Sequence, residues 1–95
     1  MNLSKHFKPA SEATINHFNK WGAYPYHAIQ ECEVRTDGHA PVELTIIKHD
    51  NGGFGFAHGC IIEPDTFKTI KGAQSGAFRW YESNYHQFKL ASSTL

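Results

Sequence analysis

Apolar side chains recur at Ile15, Phe18 and Trp21, a spacing that lays one stripe along a helix. Ser11 stands where an N-cap hydroxyl is wanted, Glu12 suits the positive first turn and Lys20 the last. Gly22 follows as a left-handed stop, so a helix is predicted over residues 11–21. Alternation then replaces the helical period. Residues 26–36 place Tyr26, Ala28, Gln30, Cys32 and Val34 on one side and His27, Ile29, Glu31, Glu33 and Arg35 on the other. Asp37-Gly38 marks a turn and Pro41 the start of a β-branched strand over 42–49. Asp50-Asn51-Gly52-Gly53 is the strongest turn signal in the chain, and Asn-Gly suits a two-residue type I′ hairpin loop. A returning strand over 54–63 ends at Pro64.

Pro64 through Gly72 has a helix-starting proline and a helix-stopping glycine, which predicts a short helix, and Ala73-Gln74-Ser75-Gly76 reads as a loop. Residues 77–90 support two readings. Phe78, Tyr81, Tyr85 and Phe88 form a helical stripe, whereas the aromatic, Ser, Asn and His content favours a hairpin turning at Glu82-Ser83-Asn84. Composition tips the expectation towards strands. The fold class is α+β: an antiparallel sheet of three to five strands, a meander of 26–36, 42–49 and 54–63, with the N-terminal helix on one face. Residues 1–95 are expected to form a single compact domain with loose ends at 1–10 and 91–95. With 77–90 helical, the α-β-β-β-α order resembles the double-stranded RNA-binding fold, in element order alone and with no residue carried over.

The hairpin leads to a site. A two-residue Asn51-Gly52 loop sets His49 opposite Phe54, Ile47 opposite Phe56, Thr45 opposite His58 and Glu43 opposite Cys60, all on one face. Val42, Leu44, Ile46, Gly55, Ala57, Gly59 and Ile61 then share the other, where small residues would admit the N-terminal helix. Thr45, Ile47, His49, Phe54, Phe56 and His58 become the expected ligand or interface residues. That face either lines a pocket or meets another subunit, and it is too aromatic to be left wet. The C-terminal segment or a second copy of the chain could cover it, and the expectation is a homodimer. His58, Glu43 and Cys60 are the catalytic candidates, a carboxylate, imidazole and thiol of the kind nucleophilic catalysis uses. Glu43 and Cys60 are each offset by two residues from His58, which argues against direct hydrogen bonds to it. The glycines of 52–59 lack the strand-turn-helix setting of a phosphate loop.

Composition narrows the functional classes. Nine basic and nine acidic residues balance to a net charge of zero, hydrophobic residues are 40% and charged residues 19%. Neither a disordered tail nor a strongly basic nucleic-acid binder has that balance. Aromatic residues are 14% of the chain, enough to organise a small core. Charge is nevertheless uneven: residues 21–65 hold seven acids against Arg35 and Lys48, while 66–95 hold Lys68, Lys71, Arg79 and Lys89 against Glu82. The nucleic-acid alternative therefore rests on Lys68, Lys71, Arg79 and Lys89 for phosphates, with Trp80, Tyr81 and Tyr85 to stack on bases.

Seven histidines and two cysteines show no closed-zinc spacing and no disulfide framework, so no metal or cofactor is expected. No apolar run is long enough for a membrane span or an export signal, which points to the cytoplasm. In size and motif poverty the chain resembles small orphan proteins carried on bacterial mobile elements such as phages and integron gene cassettes. The sum is a small soluble binding domain whose partner is a protein or a small apolar molecule. A hydrolase using His58 and an RNA or single-stranded DNA binder are the alternatives.

Overall fold

The computed structural model describes residues 6–19, 26–34, 41–50, 52–59 and 61–93, with the side chains of Asn19, Tyr26 and 85–93 left aside. The elements run β1 (Lys8–Pro9), α1 (Glu12–Asn19), β2 (Tyr26–Val34), β3 (Val42–His49), β4 (Phe54–His58), β5 (Ile61–Ile62) and α2 (Ile70–Ser93). The five strands form one open antiparallel sheet in the order of the chain. The fold is α+β, as the sequence implies. The predicted Trp21 and Gly22 end of α1 lies outside the described residues, as do positions 35 and 36 of the predicted strand. Ser11 caps α1 as expected: its hydroxyl accepts the Thr14 N–H at 3.2 Å and its carbonyl the Ile15 N–H at 2.9 Å.

The sheet is covered on both sides. Leu44, Thr45, Ile46 and Ile47 are all buried, although neighbours on a strand point in opposite directions. Leu44 and Ile46 pack with Phe56 against Ala73, Ala77 and Tyr81 of α2. On the opposite face Phe18 of α1 packs against Ala28 and Ala57. Full burial of an aliphatic side chain is worth about 1.5–3 kcal/mol, so β3 alone anchors both layers.

The hairpin register differs from the expectation by one residue. Ile46 pairs with Phe56, Ile47 with Gly55, Thr45 with Ala57 and Leu44 with His58. The loop holds three residues, not two. The His49 N–H donates to the Gly53 carbonyl at 2.8 Å, and the Gly52 N–H donates back to the His49 carbonyl at 3.0 Å. Gly52 has a φ of 99°, as the last residue of such a bulged loop requires. An odd loop inverts the returning strand, so Phe54, Phe56 and His58 join Leu44 and Ile46 under α2. A second inversion occurs in β2, where a bulge at Ile29 puts Ala28 on the α1 side and Gln30 and Cys32 on the α2 side.

The expected single strand over 54–63 is two strands. The chain reverses after Gly59, whose φ is 62°, and Ile61–Ile62 returns antiparallel along His58 and Ala57. Lys8 and Pro9, expected in a loose arm, pair with Glu31 and Gln30 at the far edge. Helix is absent from 64–69. Phe67 there exchanges two backbone hydrogen bonds with Phe54, at 2.7 and 2.9 Å, and prolongs the edge of the sheet.

The expected hairpin over 77–90 is instead part of the 24-residue α2, which also runs through the predicted 73–76 loop. Thr69 caps α2, its hydroxyl accepting the Gly72 N–H at 3.0 Å. Gly72 and Gly76 are contact surface, not stops. A Cβ on Gly72 would meet the Phe67 Cβ at 3.3 Å. One on Gly76 would overlap the tip of the Phe67 ring, with the adjacent ring carbons at 3.1 Å. With Ala73 and Ala77, these residues let α2 lie close to the sheet and to Phe67. The α-β-β-β-α order thus gains β1 and β5, and its two helices lie on opposite faces.

Gly76→Ala is expected to displace the Phe67 ring and destabilise the fold by about 1–3 kcal/mol, the usual range for overpacking, despite the better helix propensity of alanine. Urea denaturation of both proteins measures this.

Candidate functional site

The sheet divides the six expected site residues. Phe54, Phe56 and His58 lie on the α2 side, and Thr45 and Ile47 lie on the α1 side. The His49 imidazole also reaches the α1 side, where its Nε2 would be 3.0 Å from a Cβ on Gly55, next to Ile47. The aromatic face is not open, since α2 covers it and leaves Phe56 buried. The catalytic candidates separate as well. His58 faces α2, Glu43 belongs to the other face, and Cys60 lies outside the described residues. Gly59, not Cys60, follows Glu43 in the ladder, donating its N–H to the Glu43 carbonyl at 2.9 Å.

His58 has a built environment of its own. Its ring stacks on the Trp80 indole, centroids 3.7 Å apart and planes 14° from parallel. Its Nε2 lies 3.4 Å from a carboxylate oxygen of Glu63, without hydrogen-bond geometry, and has no exposed surface. An imidazole nitrogen sealed in this way cannot reach a substrate without local opening.

Beside this stack lies a cleft of about 580 Å³ between the edge segment 63–67 and α2. Gly76, Arg79, Trp80, Ser83 and Asn84 line it from the helix, positions i, i+3, i+4, i+7 and i+8 of a single helical face. Glu63, Asp65, Thr66 and Phe67 line it from the edge, and Phe56 contributes from the sheet. The Phe56 and Phe67 rings are 6.3 Å apart and tilted by 38°, so the floor is aromatic. Asp65, Thr66, Arg79, Ser83 and Asn84 are exposed at its rim. Asn84 is fixed there through its side-chain amide, which donates to the Trp80 carbonyl at 2.8 Å. Of these residues only Phe56, Arg79 and Trp80 are among the candidates the sequence offers. The others become legible once 70–93 is known to be one helix and 63–67 the edge facing it.

A second cleft, of about 420 Å³, lies on the α1 side between that helix and Glu31, Glu43 and Thr45. Its central carboxylate is already engaged. Glu31 accepts the Thr14 hydroxyl on one oxygen and the Ser11 N–H, at 3.2 Å, on the other. The Thr14 hydroxyl above all, then the Ser11 backbone and side chain and nearby Lys8, hold the Glu31 carboxyl below its ordinary value despite some desolvation. Glu31 therefore clasps the start of α1. Cys32 is a free, buried thiol whose pKa burial pushes up, opposite to what a nucleophile needs. Among the described residues no group of His, Cys, Asp and Glu is arranged to hold a metal ion.

The nucleic-acid candidates differ in exposure. Lys68, Lys71 and Arg79 are exposed, but Trp80 is stacked on His58 and Tyr81 is buried. Tyr85 and Lys89 lie on α2 with side chains outside the described set. No helix among the described residues is long and apolar enough to cross a membrane. The chain matches no known protein family, curated protein or solved structure.

The Glu31 clasp predicts a pH dependence. Its folded-state pKa is depressed below 4.5, so its contribution is complete above that value and is lost as pH falls through the folded-state value. Glu31→Gln should cost up to about 1 kcal/mol at pH 7, the usual worth of a helix cap, and the gap from the parent should close on acidification. Urea denaturation of both proteins at pH 7 and at steps down to about pH 3 reads it.

Proposed function

We propose that this chain is a small-ligand-binding domain whose site is the cleft between residues 63–67 and α2. The observation that carries this reading is the convergence of an aromatic floor and a polar rim in one concavity. Phe67 and Trp80, both half-buried, offer apolar surface above the buried Phe56, and side chains from two separate elements ring it. Ligand sites are typically of this kind and of about 300–1,000 Å³. The ligand class that fits is a compact organic molecule with a flat apolar part and polar substituents.

This differs from the expectation of a binding face on the open sheet, because α2 fills that position. The aromatics that suggested a homodimer pack under α2, which removes that ground for it. Acid–base catalysis by His58 has no support in a nitrogen packed between Trp80 and Glu63.

Amide-resolved NMR with indole and 4-methylphenol as neutral flat probes tests the reading. Shifts should concentrate at Thr66, Phe67, Gly76 and Trp80, with affinities near the millimolar range of small fragments. Ser83→Trp, at an exposed position on the helix wall, should fill the cleft and weaken both probes about tenfold or more. Shifts scattered over the whole surface, or probe binding unaffected by Ser83→Trp, would overturn the assignment.

A further inference from the structure

The charges around the cleft narrow the ligand further. Glu63 and Asp65 stand on the edge segment and Arg79 on the helix, so the two walls carry opposite signs. Neither Asp65 nor Arg79 takes part in an ion pair among the described residues, while Glu63 is approached at 3.4 Å by the His58 imidazole. A purely anionic ligand filling the cleft would meet two carboxylates, and a purely cationic one would meet a guanidinium. A molecule carrying both charges at a short separation meets each wall with the opposite sign and avoids both repulsions.

From this placement we infer that the cleft takes a zwitterion of the α-amino-acid type with an aromatic or large apolar side chain. The inference rests on the cleft being a ligand site. The ammonium group lies towards Glu63 and Asp65. The carboxylate lies towards Arg79, whose planar fork can donate two parallel hydrogen bonds to it. The side chain covers the aromatic floor. Because Asp65 and Arg79 are exposed, each charge pair is worth only a modest factor, about fivefold at the upper end for solvent-exposed pairs.

The test uses L-phenylalanine and its two halves, phenethylamine, which lacks the carboxylate, and 3-phenylpropionate, which lacks the ammonium. All three carry a phenyl ring on a short chain, so the comparison isolates charge. Titrations of the full chain, followed by the amide shifts of the cleft residues, should give L-phenylalanine an advantage of about two- to fivefold over each half. Arg79→Gln should lower the affinity for L-phenylalanine to about that of phenethylamine, and Asp65→Asn should weaken L-phenylalanine while improving 3-phenylpropionate. Both positions are exposed, so the variants should fold, and unchanged urea midpoints confirm it. L-phenylalanine binding no tighter than either half overturns the zwitterion assignment, and cleft shifts in the same titrations leave the cleft standing as a site. If none of the three moves the cleft resonances while indole does, the zwitterion assignment alone falls. If indole is silent too, both fall.

Discussion

Four consecutive side chains of β3 leave water together, and the rest of the architecture answers that one constraint. A strand that turns Leu44 and Ile46 one way and Thr45 and Ile47 the other can bury all four only with a layer on each face. The short α1 supplies one layer through Phe18, and the first half of α2 supplies the other. To bring a helix down onto a sheet already carrying Phe56, α2 presents Ala73, Gly76 and Ala77. Phe67, bridged to Phe54, packs against the glycines of that helix. The cleft is the space left between the edge of the sheet and the flank of α2.

The described aromatics divide according to depth in this arrangement. Phe56 and Tyr81 are sealed within the α2 interface, whereas Trp80 and Phe67 are only partly covered and present surface to the cleft. His58 sits at the boundary. Its imidazole replaces a hydrocarbon in the stack on Trp80 and at the same time gives Glu63 a polar neighbour. The interior and the cleft are thus built from one set of side chains, and a change to either is felt in the other.

Much of the fold can be read from local pattern. The Ser11 cap, the β-branched alternation of 42–49 and the turn at 50–53 each declare themselves through near neighbours in sequence. Asp50-Asn51-Gly52-Gly53, however, admits loops of two or three residues, and that single choice decides which way every side chain of β4 points. Both parities of the returning strand are credible, since Gly55 and Ala57 suit a close helix while Phe54 and Phe56 suit a thick core. Gly72 and Gly76 mislead for a related reason. They look like breakers locally, but at Gly76 the Phe67 ring leaves no room for a side chain and at Gly72 Phe67 packs close by, contacts that exist only after the chain has folded back. The cleft inherits both ambiguities. Thr45, Ile47 and His49 were grouped with Phe54, Phe56 and His58 only by the even loop, and Arg79, Trp80 and Ser83 share a helical face only after the helix is recognised.

The way α1 is attached has a kinetic corollary. The eight described residues of α1 span about 12 Å, under the roughly 12–15 residues at which a helix begins to persist alone in water. Its hold on the sheet is the Phe18 side chain between Ala28 and Ala57, together with the Glu31 carboxylate at its first turn. Released from those two points it would unwind, not swing away as a rigid rod. The amide protons of α1 should therefore exchange with solvent through a local opening of low free energy. Those of β3 and of the first half of α2 should wait for the whole domain to open.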